Sequence, residues 1–318
     1  MKVVCDAAAV STAATLPDVP DAARGLGLGL LGVVIFAMTL PMTRLAVGPA
    51  ADPQLSPLFV SVARAALAGL CSLVYLLAIR APRLRRTDLA ALAVCALGTV
   101  FGFPWLIGLA LREVEAMHGA VVTGVLPLAT AVAAALWFRE RPSIGFWICA
   151  LAGCALVLGY AALAGGGALV GADGWLLGAV AFGAMGYVAG AVLSQRMPAQ
   201  QVICWVLVLC LPLTAPLTVV AWPVHAVRAS AWAGLVYVAL FSMWLGFFAW
   251  YRALAIGGTV RVSQVQLLQP FLGLLFAVPV LGERLDASTV GFALAVLAIV
   301  FIGRRMPAQS TRASGSRS

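Results

Sequence analysis

The chain has 318 residues, of which 63% are hydrophobic and 10% charged, and its mean hydropathy is +1.06. A soluble domain carries about 25% charged residues, so this composition excludes a water-soluble globular protein and predicts an integral membrane protein. The basic residues behind the net charge of +9 lie in short loops and at the tail, so we expect no nucleic-acid partner. Six of the seven cysteines lie inside apolar runs, which predicts neither a disulfide framework nor a metal site, and we expect no cofactor.

Ten apolar runs, each long enough for a bilayer-spanning helix, follow a polar leader. The leader, 1–24, lacks the basic start and short apolar core of a secretory signal, so we predict a disordered cytoplasmic tail there and another at 306–318. The predicted spans are 25–47, 57–79, 89–111, 115–137, 144–164, 173–194, 202–222, 231–256, 259–281 and 286–303. The predicted fold is therefore an all-α membrane protein with ten transmembrane helices.

One motif occurs twice, at a constant shift of 143 residues. In each copy, a proline inside an apolar run is followed thirteen residues later by Glu-Arg and then by another apolar run. The copies are Pro127 with Glu140 and Arg141, and Pro270 with Glu283 and Arg284. Each copy lies at the fourth of five spans, so 25–164 and 173–303 form two five-helix halves. Because an odd number of crossings reverses the second half in the membrane, we predict two inverted repeats.

The distribution of basic residues predicts the orientation in the membrane. With the amino terminus in the cytoplasm, the inner segments hold 14 Lys and Arg residues and the outer segments hold 4. Short cytoplasmic loops are enriched in these residues, so both termini are predicted to be cytoplasmic.

Two runs of sequence carry a family resemblance. The first extends from His118 through Pro127 to Arg139-Glu140-Arg141-Pro142, and the second from Trp250-Tyr251-Arg252-Ala253-Leu254 through Gln269-Pro270 to Gly282-Glu283-Arg284. With these runs, the chain resembles the EamA-like family of the drug/metabolite transporter (DMT) superfamily. The resemblance implies ten helices in two inverted five-helix repeats, and movement of small metabolites, often outward, across the inner membrane of bacteria. Arg139 stands where the family usually has glycine.

The repeated motif has a structural and a functional interpretation. Glu140, Arg141, Glu283 and Arg284 are predicted to be structural loop caps, with Glu capping the next helix and Arg meeting the terminal carbonyls of the preceding one. Substrate or proton binding is the less favoured alternative. Pro127 and Pro270 either break their helices at a substrate cavity or only kink them for packing.

Arg64 is the basic residue that lies deep inside a predicted span, about seven residues from its start. A lipid-facing arginine there costs about 2.5 to 3.5 kcal/mol on insertion scales, so Arg64 should face protein or water. As a hypothesis, its counter-charge is a carboxylate or phosphate of a substrate, or a ring of helix carbonyls. The alternative is a side chain that extends outward to Asp52, Glu113 or Glu115.

Several further residues are candidate substrate contacts. Thr123, Gln266 and Gln269 lie near the two prolines at the predicted midplane, and Trp105, Trp244 and Tyr187 are deep aromatic side chains. His118 is another candidate, although a structural, hydrogen-bonded histidine is favoured. For each aromatic residue by itself, helix packing is the favoured interpretation. The cavity is predicted between the first, third, fourth, sixth, eighth and ninth spans.

These features predict a multi-pass secondary transporter, not an enzyme, that exports amino acids or similar small metabolites across the bacterial inner membrane by alternating access. A multidrug exporter of cations, with Trp244 or Trp105 as a contact, is the alternative, and an intramembrane enzyme is less favoured. The expected partners are a small-molecule substrate and the lipid bilayer. Substrate identity, direction, coupling ion and oligomeric state stay open.

Overall fold

The computed structural model describes residues 19–138, 141–164, 170–257, 264–305 and 308–309, and these are almost entirely helical. The helices are α1 (Val19–Ala37), α2 (Thr39–Val47), α3 (Pro57–Ala78), α4 (Leu89–Ala96), α5 (Phe103–Glu113), α6 (Ala116–Thr123), α7 (Leu126–Phe138), α8 (Ile144–Ala164), α9 (Gly171–Ser194), α10 (Ala199–Val220), α11 (Ala229–Val236), α12 (Gly246–Gly257), α13 (Gln269–Leu281) and α14 (Ala287–Arg305). The other described elements are 3₁₀ turns at Arg86–Asp88 and Gln264–Leu268, π-helical segments at Leu97–Gly102 and Tyr237–Leu245, and an antiparallel pair of two-residue strands, β1 (Arg141–Pro142) and β2 (Ala308–Gln309).

Eight helical spans within the described residues are long and apolar enough to cross a bilayer. Two shorter apolar segments, Val265–Leu281 and Ala287–Ile302, follow them. Stripes of exposed leucine, isoleucine and valine run along the outside, for example Leu70, Val74 and Leu77 on α3. Such stripes would be unfavourable in water but match the hydrocarbon core of a membrane. The chain is therefore a multi-pass membrane protein.

The first helix begins earlier than the sequence predicted. α1 starts at Val19, inside the leader expected to be disordered, and Pro20 occupies its first turn, where the missing N–H of proline costs nothing. In the predicted carboxyl-terminal tail, Ala308 pairs with Pro142 and Gln309 with Arg141. The other residues of both predicted tails lie outside the described residues.

The third and eighth spans share an unusual interruption. Each begins with an α-helix of eight residues, α4 or α11, continues as a π-helical segment, and ends as a second α-helix. π-helical segments inside α-helices are rare and frequent at functional sites.

The fourth span is broken at Gly124 and Val125, between α6 and α7. α7 and α13 each have 13 residues, and their first residues, Leu126 and Gln269, are 143 positions apart. Pro127 and Pro270 therefore lie in the first turn of a helix, where proline is tolerated, rather than at a kink inside one.

Helices from the two sequence halves pack against each other. α3 packs along α10, α1 along α12, and α9 along α4 and α5. α6 lies against α13 and α8 against α14. The largest core cluster extends through these contacts and includes Phe59, Leu176 and Leu235.

Glycines allow the third and sixth spans to touch at the backbone. A Cβ atom on Gly98 would lie 2.4 Å from the carbonyl oxygen of Phe182, and one on Gly186 would lie 2.7 Å from Cγ2 of Thr99. Any side chain at these positions would separate the helices, because real Cβ atoms do not approach so closely.

Polar contacts join loops that ten crossings would place on the same side of the membrane. Arg196 donates to Asp88 at 2.8 Å, and both belong to predicted inner segments. Arg228 pairs with Asp52, and both belong to predicted outer segments.

Glu283 caps a helix, but not the one predicted. Its carboxylate accepts hydrogen bonds from the backbone N–H groups of Ala116 at 2.7 Å and Met117 at 2.8 Å, so it caps α6 rather than α14. The packing of α13 on α6 decides this partner. Burial raises the pKa of Glu283 above its ordinary value, while the two N–H groups oppose that rise.

The start of α14 is capped instead by Asp286, which accepts a hydrogen bond from the backbone N–H of Thr289 at 3.2 Å. Arg284 is exposed. Glu140 and the side chain of Arg141 lie outside what the structure describes, so their predicted capping roles stay predictions.

Candidate functional site: a central cavity

A cavity of about 80 Å³ lies at mid-depth among the helices. Seven of the predicted spans contribute to its lining: the first, second, third, fourth, sixth, eighth and ninth. One lining residue from each, in the same order, is Phe36, Arg64, Thr99, Thr123, Tyr187, Ser242 and Gln269. Each of these residues lies well inside its span, so the cavity is near the centre of the protein rather than at either end. Six of these seven spans are those predicted to surround the cavity. The seventh is the second span, which contributes Arg64.

Arg64 is buried, with 5% of its surface exposed. Its Nη2 atom donates to Oγ of Ser242 at 3.3 Å, and Nε has no hydrogen-bond partner. Ser242 also contacts Thr39, whose Oγ1 lies 2.8 Å from its Oγ. Within the described residues, no carboxylate pairs with Arg64, so the alternative of an outward contact to Asp52 or a neighbouring acid is wrong.

A second cavity, of about 50 Å³, adjoins the first. The two share Phe36, Leu40, Thr123, Leu126 and Gln269 in their linings. The second is also lined by the three remaining candidates near the predicted midplane, namely Gln266, Pro127 and Pro270. The structure thus brings Thr123, Gln266 and Gln269 and the two prolines of the repeated motif together around adjoining cavities.

Two hydroxyl residues of the site were missed by sequence reasoning. Thr99 and Ser242 lie on the two π-helical segments, both line the larger cavity, and they are 143 positions apart. The sequence repeat could therefore have identified them, because a shift of 143 residues aligns Thr99 with Ser242, each a polar residue in the middle of an apolar span. The hydroxyl of Thr99 donates to the carbonyl of Cys95 at 2.7 Å.

The two deep tryptophans are not brought to this site. Trp105 is exposed on the outer surface of the bundle, and Trp244 packs against Phe248 with ring centroids 5.2 Å apart. Neither residue lines the two central cavities. Tyr187 does line the larger one.

Comparison with known proteins decides the family. The sequence profile of the EamA-like transporter family matches twice, at residues 23–161 and 171–304. The chain belongs to the EamA-like transporter family. This EamA-like protein is 45% identical over 279 residues to the "Uncharacterized transporter YdeK" of Bacillus subtilis (strain 168), a match that covers 87% of this chain and 96% of that protein. It is therefore a membrane transporter by family.

A solved structure has the same fold. It is titled "Crystal structure of protein", and it matches this EamA-like chain with a TM-score of 0.59 and 19% sequence identity. The match covers 88% of this chain and 98% of the other. At this identity the likeness shows the fold alone.

His118 lies away from the central cavities and has a buried partner in this EamA-like protein. Its Nε2 atom is 2.7 Å from Oδ1 of Asp173, and the other carboxylate oxygen of Asp173 accepts a hydrogen bond from the backbone N–H of Val170 at 2.9 Å. The pair joins α6 in the first sequence half to α9 in the second. His118 is thus hydrogen-bonded to a buried side chain, which is the structural role that the sequence favoured. Its partner could not be predicted, because Asp173 lies 55 residues away in the sequence.

Substituting Asp173→Asn should lower the free energy of unfolding by about 1–3 kcal/mol, because a buried histidine nitrogen then loses a charged partner. Thermal unfolding of the detergent-solubilised protein, followed by tryptophan fluorescence, measures this change. Glu113→Gln, on an exposed side chain, is the control. Equal midpoints for the two variants would contradict a stabilising role for the pair.

Proposed function

We propose that this EamA-like protein is a secondary transporter that exports an amino acid or a similar small metabolite across the bacterial inner membrane by alternating access. The observation that carries the proposal is Arg64. It is a buried cation in a central cavity, and among the described residues no acidic side chain compensates for it. A charge held inside a membrane protein without a partner is expensive, and such residues commonly mark the path of a substrate.

Two inverted five-helix repeats are supported by the arrangement of the elements. The two helices that contain Pro127 and Pro270 in their first turn begin 143 positions apart and have the same length, and both the third and the eighth span contain a π-helical segment. The family profile also matches twice. An inverted repeat provides two equivalent arrangements of its halves, which is the basis of alternating access in other transporters of this kind.

The cavity favours an anionic group over a cation. Arg64 would repel a positively charged drug inside the cavity. Trp105 and Trp244, the side chains on which cation binding would depend, do not line either cavity. The family, and the description of the Bacillus subtilis relative as a transporter, favour transport over an intramembrane enzyme.

Transport is tested with the purified protein in proteoliposomes. Vesicles loaded with an unlabelled mixture of amino acids and similar small metabolites are expected to take up the labelled compounds by counterflow faster than empty vesicles. Metabolite profiling of cells with and without the gene selects the candidates. A counterflow rate that never exceeds that of empty vesicles would rule out the amino-acid proposal.

The orientation is tested separately with reporter fusions. A fusion after Arg83, in the loop between α3 and α4, should be active with a cytoplasmic reporter such as green fluorescent protein and inactive with alkaline phosphatase. A fusion at Pro49, between α2 and α3, should give the opposite result. An active phosphatase at Arg83 would overturn the proposed cytoplasmic termini.

A further inference from the structure

We propose that the two central cavities form one binding site with a polar head compartment and an apolar tail compartment, and that its ligand is a small monocarboxylate with an apolar tail and no positive charge. The inference rests on the proposed transport function and narrows its substrate class. Within the proposed class of amino acids and similar metabolites, it favours the acids without an ammonium group over the amino acids themselves, which carry one next to the carboxylate.

The head compartment offers hydrogen-bond donors. Nε of Arg64 is unbonded, and in the described part of the chain the side chains of Tyr187 and Gln269 make no hydrogen bond to protein. A guanidinium, a phenol and an amide can together donate to both oxygens of a carboxylate. This set of donors matches one anionic group.

Two threonine hydroxyl groups of the head compartment are already engaged as donors. Thr123 donates to the carbonyl of Gly119 at 2.7 Å, as Thr99 does to Cys95. Their oxygens are left as weak, uncharged acceptors. No carboxylate lines the cavity among the described residues, so an ammonium group there would meet Arg64 without a compensating charge.

The site has one fixed charge because the two sequence halves differ at this position. α3 and α10 both have 22 residues and pack on each other. At the repeat shift of 143 residues, the position equivalent to Arg64 is Leu207, which is fully buried. One guanidinium balances one carboxylate, so a dicarboxylate would retain an uncompensated charge.

The tail compartment is largely apolar and adjoins the head compartment at Gln269. Leu40 lies on one side of it, and Val296, Leu297 and Val300 of α14 lie on another. Gly273 leaves room between them, since a Cβ there would make only ordinary contacts, at 3.5 Å or more. A short aliphatic chain suits such a space, because the apolar walls bind water weakly and removing apolar surface from water is favourable.

Four probes that vary charge and tail independently test the inference. They are 4-methyl-2-oxopentanoate (a monocarboxylate with an apolar tail), L-leucine (a zwitterion with the same carbon skeleton), 3-methylbutylamine (a cation with the same tail) and pyruvate (the same head without the tail). Binding to the purified full-length protein is measured by isothermal titration calorimetry, and transport by counterflow in proteoliposomes.

We expect 4-methyl-2-oxopentanoate to bind at least about tenfold more tightly than each of the other three probes. Leu297→Trp, which fills the tail compartment, should weaken its binding at least about fivefold and leave pyruvate unchanged. Leu294→Trp, on the exposed side of the same helix, is the matched control and should alter neither. Equal or tighter binding of leucine or the amine, or an equal effect of the two tryptophan variants, would overturn the inference.

The two proposals fail in distinguishable ways. If leucine or the amine is transported faster than the oxo acid, transport stands and the monocarboxylate class is wrong. If the oxo acid binds as expected but no probe crosses the membrane, the site stands and the transport function is wrong. If no probe binds, the inferred ligand class is wrong.

Discussion

Replacing Arg64 with glutamine is expected to lower kcat/KM for transport of a carboxylate substrate at least about 100-fold. The substrate would lose a charge-assisted contact in a buried site, and a loss of this size corresponds to about 2.7 kcal/mol. Arg64→Lys should retain part of the activity, because it keeps the charge but not the planar pair of donors.

The stability of the same variants separates binding from a structural role. Within the described residues, Arg64 contacts only the hydroxyl of Ser242 through a hydrogen bond, and that hydroxyl keeps Thr39 as a partner. Arg64→Gln should therefore leave the thermal midpoint within a few degrees of wild type or raise it, because a buried unpaired charge is removed. Arg252→Gln, at an exposed position, is the matched control for transport.

Two outcomes would contradict the role of Arg64. One is unchanged transport in both Arg64→Gln and Arg64→Lys. The other is a large fall in the thermal midpoint with normal transport per folded molecule, which would make Arg64 a structural residue. Counterflow rates and tryptophan-fluorescence unfolding curves, recorded on the same preparations, measure both quantities.

Substituting Gly186→Ala is expected to destabilise the protein by about 1–3 kcal/mol, as overpacking of a close helix contact does. The added methyl group would lie 2.7 Å from the Thr99 side chain and 3.1 Å from Cα of Gly98, on the π-helical segment that also lines the cavity. The third span would have to move away from the sixth. Transport should fall with stability, because Thr99 would be displaced from the site.

The matched control is Gly159→Ala, in the interior of α8, where an added Cβ meets nothing within 4 Å. Alanine favours a helix over glycine by about 0.8 to 1.0 kcal/mol, so this variant should be as stable as wild type or more so. Thermal midpoints and the monodisperse fraction on size-exclusion chromatography compare the two. Equal stability of both variants would contradict the close backbone contact.

The predicted spans agree with the structure where the position of a helix depends only on its length and its apolar composition. The described spans begin and end within a few residues of the predictions, as Pro57–Ala78 and Ile144–Ala164 show. The main difference is at the amino terminus, because Val19 and Pro20 form a first helical turn without contributing to an apolar run.

Part of the site also followed from the sequence. Thr123 and Gln269 were found because the repeat placed them beside two prolines, and Arg64 because a charge in an apolar span is costly. Thr99 and Ser242 were missed, since each is a single hydroxyl in an apolar helix and only the repeat shift of 143 residues relates the two. Trp105 was chosen because it lies at mid-depth, but an aromatic residue at that depth faces lipid as readily as a cavity, and Trp105 is exposed on the outer surface.

The sequence by itself determined the membrane environment, the approximate spans and the duplication, because these depend on composition and on distances along one chain. Only the tertiary structure decided that Arg64 meets Ser242 instead of an acid, that Asp173 is the partner of His118, and that Glu283 caps α6. Each of these contacts joins residues separated by 55 to 178 positions, and helix packing brings them together without a local signal in the sequence.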